Sequence, residues 1–246
     1  YGSEATAQAI ARSPHVISVE PDLLMHADQA SPELQFGVGR IRAHLNTTGP
    51  SAIAGVGVAV IDTGIDTDHP DLPGNIQGIH YWQSTSGPQK LRGPREDANY
   101  DDDNGHGTHV AGIIAALKNG VGVVGVAPGA RLWAVKVLGS DGSGAASDVI
   151  RGIDWVTQHA NDIAVANMSL GTSGVNTALR TAIQGSVAAG VVYVVSAGNS
   201  TSDVYGGDGV FGTSDDTIPA AYPEVLTVSA MGDTDGQAGG LGSPTG

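Results

Sequence analysis

The chain of 246 residues carries 11 Lys+Arg against 25 Asp+Glu, a formal net charge of −14, so no basic surface is available to track a phosphate backbone and no nucleic-acid partner is expected. Cysteine is absent, which removes disulfides, thiolate metal sites and thiol catalysis, and no run of about 18 apolar residues offers a membrane span. With 40% hydrophobic residues and 37 glycines, the sequence describes a turn-rich globular protein long enough for one or two domains.

In chain order, residues 5–12 are expected as a helix and HVISVEPD (15–22) as a strand closed by a Pro-Asp turn. The polar run 26–33 reads as a linker. From Gly55 onward, short β-branched runs alternate with longer amphipathic ones, the signature of crossover units. Strands are expected at 56–62, 131–138, 163–170, 190–198 and 224–230, nearly continuously apolar as strands covered on both faces are. Helices are expected at 106–117, 145–160 and 176–189, with Ser147 or Asp148 capping the second and Asn176 or Thr177 the third. The acidic stretches 96–103 and 203–216 read as loops. The fold class is therefore α/β, a doubly wound and mainly parallel sheet with helices on both faces, whose working site lies at the carboxyl ends of the strands.

That rule sorts the chemistry-bearing residues. Asp62 ends the run VGVAVID and precedes Thr63-Gly64, so its carboxylate reaches the functional rim, where an Asp also serves simply to close a turn. His106 opens the helix of NGHGTHVAGIIAAL, flanked by Gly105 and Gly107. A helix N-terminus disfavours an imidazolium, and a neutral accessible imidazole suits a general base. His109, one turn on, reads as packed within the helix, and HGTH lacks the spacing and the glutamate of the zinc-protease helix motif. Asn199 ends VVYVVSAGN, where a side-chain amide either donates to a developing oxyanion or closes a turn. Gly142-Ser143-Gly144 and Ser169-Leu170-Gly171 reach the same rim, and their small residues admit an edge-pairing peptide.

Together the strings VAVIDTGIDTDHPDL, DNGHGTHVAGIIAA, GVAPGARLWAVKVLGSDGSG, VANMSLG and SAGN, in this order, closely resemble the subtilisin-like serine proteases, over about residues 36–230. The resemblance implies a secreted serine endopeptidase with Asp62 and His106 as two triad members and Asn199 as oxyanion donor. It implies that Ser143, Gly144 and Ala145 and Ser169, Leu170 and Gly171 flank bound peptide. The Asp-before-His order fits the family. It further implies a structural Ca²⁺ held by Asp71, Asn119 and the carbonyls of Leu117, Val121 and Val123, while the glutamine the family adds near the mature N-terminus has Pro32 at the comparable place. The acidic loops at 97–103 and 203–216 are candidates for further Ca²⁺.

The family's nucleophile sits in a Gly-Thr-Ser-Met-Ala-like motif opening a long helix, and this sequence contains none. Neither Gly171-Thr172-Ser173 nor Gly212-Thr213-Ser214 has such a helix behind it. The serine is therefore expected beyond Gly246, with the chain as given inactive. SPHVISVEPD (13–22) resembles the last strand of the inhibitory propeptide, which divides the chain into a propeptide tail and linker (1–27) and a catalytic domain (28–246) lacking its C-terminal part. The implied partners are polypeptide substrates and the chain's own propeptide as intramolecular inhibitor, with no membrane and no nucleic acid. Ala146 stands where many relatives carry a bulky wall and Ser200 brings no charge to the primary pocket, which implies a broad preference for apolar residues. Two other classes remain open: an inactive binding module of the same fold, and a metal-dependent hydrolase using His106, His109 and the aspartates at 101–103.

Overall fold

Apolar β-branched runs too short for helices pair side by side in a seven-stranded sheet, ordered β11-β9-β7-β2-β5-β3-β4. The strands are β2 (Gly57–Asp62), β3 (Gln77–Trp82), β4 (Arg95–Asp97), β5 (Arg131–Lys136), β7 (Val165–Met168), β9 (Val192–Ser196) and β11 (Leu226–Val228). All pair in parallel except β4, which is antiparallel to β3. The computed structural model describes residues 4–13, 22–27, 55–82, 95–120 and 122–230, with positions 16, 19, 38, 41, 43 and 53 between them.

The described residues include four helices: α1 (Glu4–Ala11), α2 (His106–Ala115), α3 (Ala146–Gln158) and α4 (Thr177–Ala188). One apolar cluster joins Ala59, Ile61, Val135, Ala166, Met168, Tyr193 and Val195 to α3 and α4. On the opposite face Val58, Val60, Leu132 and Ala134 pack with Val110, Ala111 and Ala115 of α2. Alternate residues of one strand thus serve two cores, as a doubly covered parallel sheet requires. The α/β doubly wound architecture is therefore observed.

A second, antiparallel sheet forms at the rim, in the order β10-β8-β1-β6: β10 (Thr217–Ile218), β8 (Leu170–Ser173), β1 (Leu24–Ala27) and β6 (Ser143–Ala145). This sheet corrects the sequence reading. The run 163–170 is not one strand, because the chain breaks at Ser169 and Leu170 joins the second sheet. The expected strand at 15–22 falls largely outside the described residues, and the strand found there is β1, further along and reaching into the expected linker. The acidic stretch from 96 is not all loop, since Glu96 and Asp97 belong to β4 and are held by β3.

The caps also divide. Asn176 Oδ1 accepts the Leu179 amide at 2.9 Å and starts α4 as expected. At α3 neither Ser147 nor Asp148 is the cap residue: Ala145 occupies that position without a side-chain bond. The acceptor comes from far away, as Asp22 takes the Ser147 amide at 2.8 Å and the Ser147 hydroxyl at 2.6 Å. A carboxylate there meets both the unpaired amides and the positive end of the helix dipole.

Candidate active site

Asp62 is the last residue of β2 and is fully buried, with its Oδ1 accepting the Thr63 amide at 2.7 Å. The same Oδ1 lies 2.7 Å from His106 Nδ1, across 44 positions of sequence. Burial pushes the Asp62 carboxyl up from its ordinary value, against the hydrogen bond and the charge of His106, which work to lower it. A carboxylate that has left water and faces an imidazole fixes both the orientation and the tautomer of that ring.

The approach of α2 to β2 depends on glycine. Gly105 caps α2 at φ 102°, a left-handed conformation that side chains resist. Gly107 lies so close to the chain after β2 that an added Cβ would strike the Gly64 carbonyl oxygen. Gly107 N donates to Thr63 Oγ1 at 2.9 Å, completing the seam.

Asp102, read from the sequence only as one of a possible metal-holding acidic cluster, organises this seam. Its Oδ1 accepts Thr63 Oγ1 at 2.9 Å, Asn104 N at 3.0 Å and Gly105 N at 2.9 Å; its Oδ2 accepts Thr108 N at 2.9 Å and Thr108 Oγ1 at 2.6 Å. Partial burial works to raise this carboxyl, but the bonds from Thr108, Gly105 and Asn104 outweigh it and hold it below its ordinary value. The sequence signal was the acidic residue close ahead of a helix start, hidden by the run of three aspartates. Lys136 was missed too. It ends β5 in register with Asp62, is buried, and its ammonium binds the Thr63 carbonyl and Asp103 Oδ1, the latter at 2.6 Å. Register extends the row to His80 of β3 and Asp97 of β4, whose side chains meet at 3.0 Å.

Asn104 Nδ2 donates to Ser140 O at 3.0 Å, tying the loop before His106 to the connection between β5 and β6. Ser143, Gly144 and Ala145 form β6, while Leu170 and Gly171 lie in β8 and Ser169 between strands. The two strands do not pair with each other: β1 lies between them, with Met25 opposite Gly144 and His26 opposite both Ser143 and Gly171. Asn199 follows β9 at the same rim of the parallel sheet, exposed and preceded by Gly198 at φ 85°. His109 stands half-buried in α2. Among the described residues no three His, Cys, Asp or Glu side chains gather as a metal-holding group, so His106, His109 and the aspartates at 101–103 do not form one.

Of the expected calcium residues, Leu117 and Val123 lie against Asp71 from a separate loop. Asp71 is buried, its Oδ2 accepts Val123 N at 2.8 Å, and its Oδ1 has no partner among the described residues. Leu117 N donates to the Asp71 carbonyl at 2.8 Å, and Asn119 Nδ2 lies 3.4 Å from the Pro70 carbonyl. Val121 falls outside the described residues. An orphaned, buried carboxylate oxygen is what a hard cation would satisfy.

These features define an α/β protein with a buried carboxylate–imidazole pair at the rim of a parallel sheet and a second sheet in which an extended strand lies between β6 and β8. Comparison with known proteins gives the same answer. The model of the subtilase family matches residues 54–240. The chain is 40% identical to subtilisin E of Bacillus subtilis (strain 168) over 236 residues, covering 96% of this chain and 56% of that protein. It is 43% identical to subtilisin of Bacillus pumilus over 197 residues, covering 80% of this chain and 64% of that one. A crystal structure of a cold adapted subtilisin-like serine proteinase matches with a TM-score of 0.54 at 38% identity, covering 70% of this chain and 54% of the other. The chain belongs to the subtilase family, and it spans little more than half the length of subtilisin E.

Proposed function

We propose that this chain carries the acid–base half of a secreted serine endopeptidase, with Asp62 and His106 as two members of the triad. The carrying observation is the 2.7 Å contact between His106 Nδ1 and buried Asp62 Oδ1, together with the place between β6 and β8 that β1 fills. Asp62 accepts the Nδ1 hydrogen, so Nε2 takes the proton of a serine hydroxyl as its oxygen attacks the peptide carbonyl carbon. Nε2 then passes that proton to the leaving amine, and water repeats the sequence to release the acid. The Asn199 amide donates to the tetrahedral oxyanion. The nucleophile is assigned to no residue of this sequence, because Ser173 ends a substrate-side strand and Ser214 lies in a loop.

Substrate pairs with Ser143, Gly144 and Ala145 on one side and with Leu170 and Gly171 on the other, in the antiparallel manner of β1. Residues 1–27 act as the tail of an intramolecular inhibitor, supported by β1 in that place and by Asp22 on the α3 N-terminus. Met25 lies fully buried in the apolar cluster that includes Ala146 and Leu170. A substrate side chain of similar size and apolarity takes its place, which narrows the broad apolar preference to unbranched or γ-branched residues at that subsite.

The test joins residues 28–230, without the inhibitory tail, to the part of subtilisin E that bears the family's serine motif. A folded chimera is expected to hydrolyse casein, to be stopped by a serine-directed phosphonate, and to lose about 10⁶-fold in kcat on His106→Ala. A folded but inactive chimera, or one indifferent to His106→Ala, overturns the reading. Casein hydrolysis by residues 1–246 alone, blocked by the same phosphonate, overturns the placing of the nucleophile.

A structural Ca²⁺ is part of the same reading, with Asp71 Oδ1, Asn119 and the carbonyls of Leu117, Val121 and Val123 as its ligands. It would supply charge neutralisation for a buried carboxylate and no step of the reaction. Added Ca²⁺ is expected to raise the melting temperature, and Asp71→Asn to abolish that rise; calorimetry without Ca²⁺ uptake removes the site.

A further inference from the structure

The described residues contain one lysine or arginine that is buried, Lys136, and the acid–base chemistry proposed above gives it no task. Its side chain is 4% exposed, whereas that of its ionic partner Asp103 is 59% exposed. A pair with an exposed carboxylate forms as well at the surface, and an ammonium taken out of water is costly unless its donors find acceptors. The acceptor inside is the Thr63 carbonyl. Asp62 and Lys136 are register partners on neighbouring parallel strands, so their side chains leave the sheet on one face, the face that α2 covers. The main chain after Lys136 lies on the same turn, with the Val137 and Leu138 amides donating to the Asp62 carbonyl at 2.9 and 3.2 Å.

Thr63 is fully buried, and every polar atom it carries is engaged. Its amide donates to Asp62 Oδ1 at 2.7 Å, its hydroxyl donates to Asp102 Oδ1 at 2.9 Å and accepts the Gly107 amide at 2.9 Å, and its carbonyl takes the Lys136 ammonium. The first of these bonds orients the carboxylate that faces His106, and the third holds the residue next to His106. We propose that Lys136 is a positioning residue for the Asp62–His106 pair, its ammonium fixing the Thr63 peptide from which both sides of the pair are set, a role that rests on reading that pair as the acid–base half of a protease.

Without the ammonium, the Thr63 carbonyl is a buried acceptor with nothing to accept, and its peptide turns to recover a donor. That rotation carries the Thr63 amide off Asp62 Oδ1 and the hydroxyl off Gly107, so the carboxylate and the imidazole lose their common frame. A displacement of about 1 Å at reacting groups is worth roughly 10²-fold in rate. Methionine keeps the unbranched stem of Lys136 and removes its donors, whereas arginine keeps both donors and charge.

The whole chain, carrying isotope-labelled histidine, shows the pair by nuclear magnetic resonance. The proton on His106 Nδ1, shared with Asp62, is expected far downfield and is assigned by its loss in Asp62→Ala. In Lys136→Met that resonance is expected to shift or vanish, while the ring of His159, whose Nδ1 lies 2.8 Å from the Trp155 carbonyl, stays in place. Ile183→Ala, which lowers stability by emptying a buried site in α4, is expected to move neither. In the folded chimera, Lys136→Met is expected to lower kcat about 10²-fold with KM little changed, and Lys136→Arg to recover part of the loss. A His106 proton that stays put in Lys136→Met, or that moves equally in Ile183→Ala, overturns the role of Lys136 and leaves the pair standing; its absence from the unaltered chain overturns the pair itself and the role with it. Where Lys136→Met does not fold, labelled lysine in the unaltered chain decides: the Lys136 ammonium is expected to exchange with water far more slowly than that of exposed Lys118, and equal exchange overturns the role.

Discussion

At Asp102 one carboxylate holds five donors drawn from the turn after β2 and from the first turn of α2, so removing it frees several polar groups at once. Asp102→Ala is expected to cost about 3 kcal/mol of stability, read from denaturant unfolding, since a bond to a charged group contributes about 1.5–3 kcal/mol and the freed amides are only partly rehydrated. The same substitution is expected to shift the His106 ring resonances, which a general loss of stability would leave in place. Asp102 lies below its ordinary carboxylate value in the folded state, so its contribution is present above the unfolded value and is lost as pH falls through the folded one. Asp102→Asn should therefore flatten the acid limb of the stability–pH curve; an unchanged limb would count against the assignment. Asp62 and His106 were legible in the sequence because a strand-end Asp and a Gly-flanked His are local patterns. Asp102 was not, since four of its five donors are local but three consecutive aspartates leave the sequence no way to choose among them, and Lys136 was not, since Thr63 lies 73 positions away.

Among the elements, those with strong local signals came out of the sequence close to where they lie. The apolar runs of β2, β5 and β9 and the helices α2, α3 and α4 each bury a face whose period is written in the chain. The second sheet was illegible because two of its strands, β6 and β10, are three and two residues long and are made strands by their neighbours. The α3 cap was illegible because Asp22 precedes Ser147 by 125 positions. Asp22→Ala is expected to lower stability by about 1 kcal/mol and Asn176→Ala by a similar amount, both as shifts of the thermal midpoint. The two separate in hydrogen exchange: only Asp22→Ala should speed exchange at the Leu24 to Ala27 amides, and protection unchanged there would detach the cap from the docking of β1. Met25→Ala should speed the same amides further, as it empties a fully buried site.

On the scale of the molecule, coverage of the sheet is uneven. The helix α2 packs on β2 and β5, leaving Val192 of β9 and Leu226 and Val228 of the edge strand β11 exposed among the described residues. Strand β1 occupies the opposite side of the molecule's energetics. It is the middle strand between β8 and β6, and it belongs to the same covalent chain as both. Tethering of this kind acts as a local concentration on the order of millimolar. On the proposed reading, a loose hexapeptide copying residues 22–27 would have to be supplied at about that level to evict its attached twin, whereas one cut in the connecting segment would leave the occupant to dilution and the place between β6 and β8 to a polypeptide substrate.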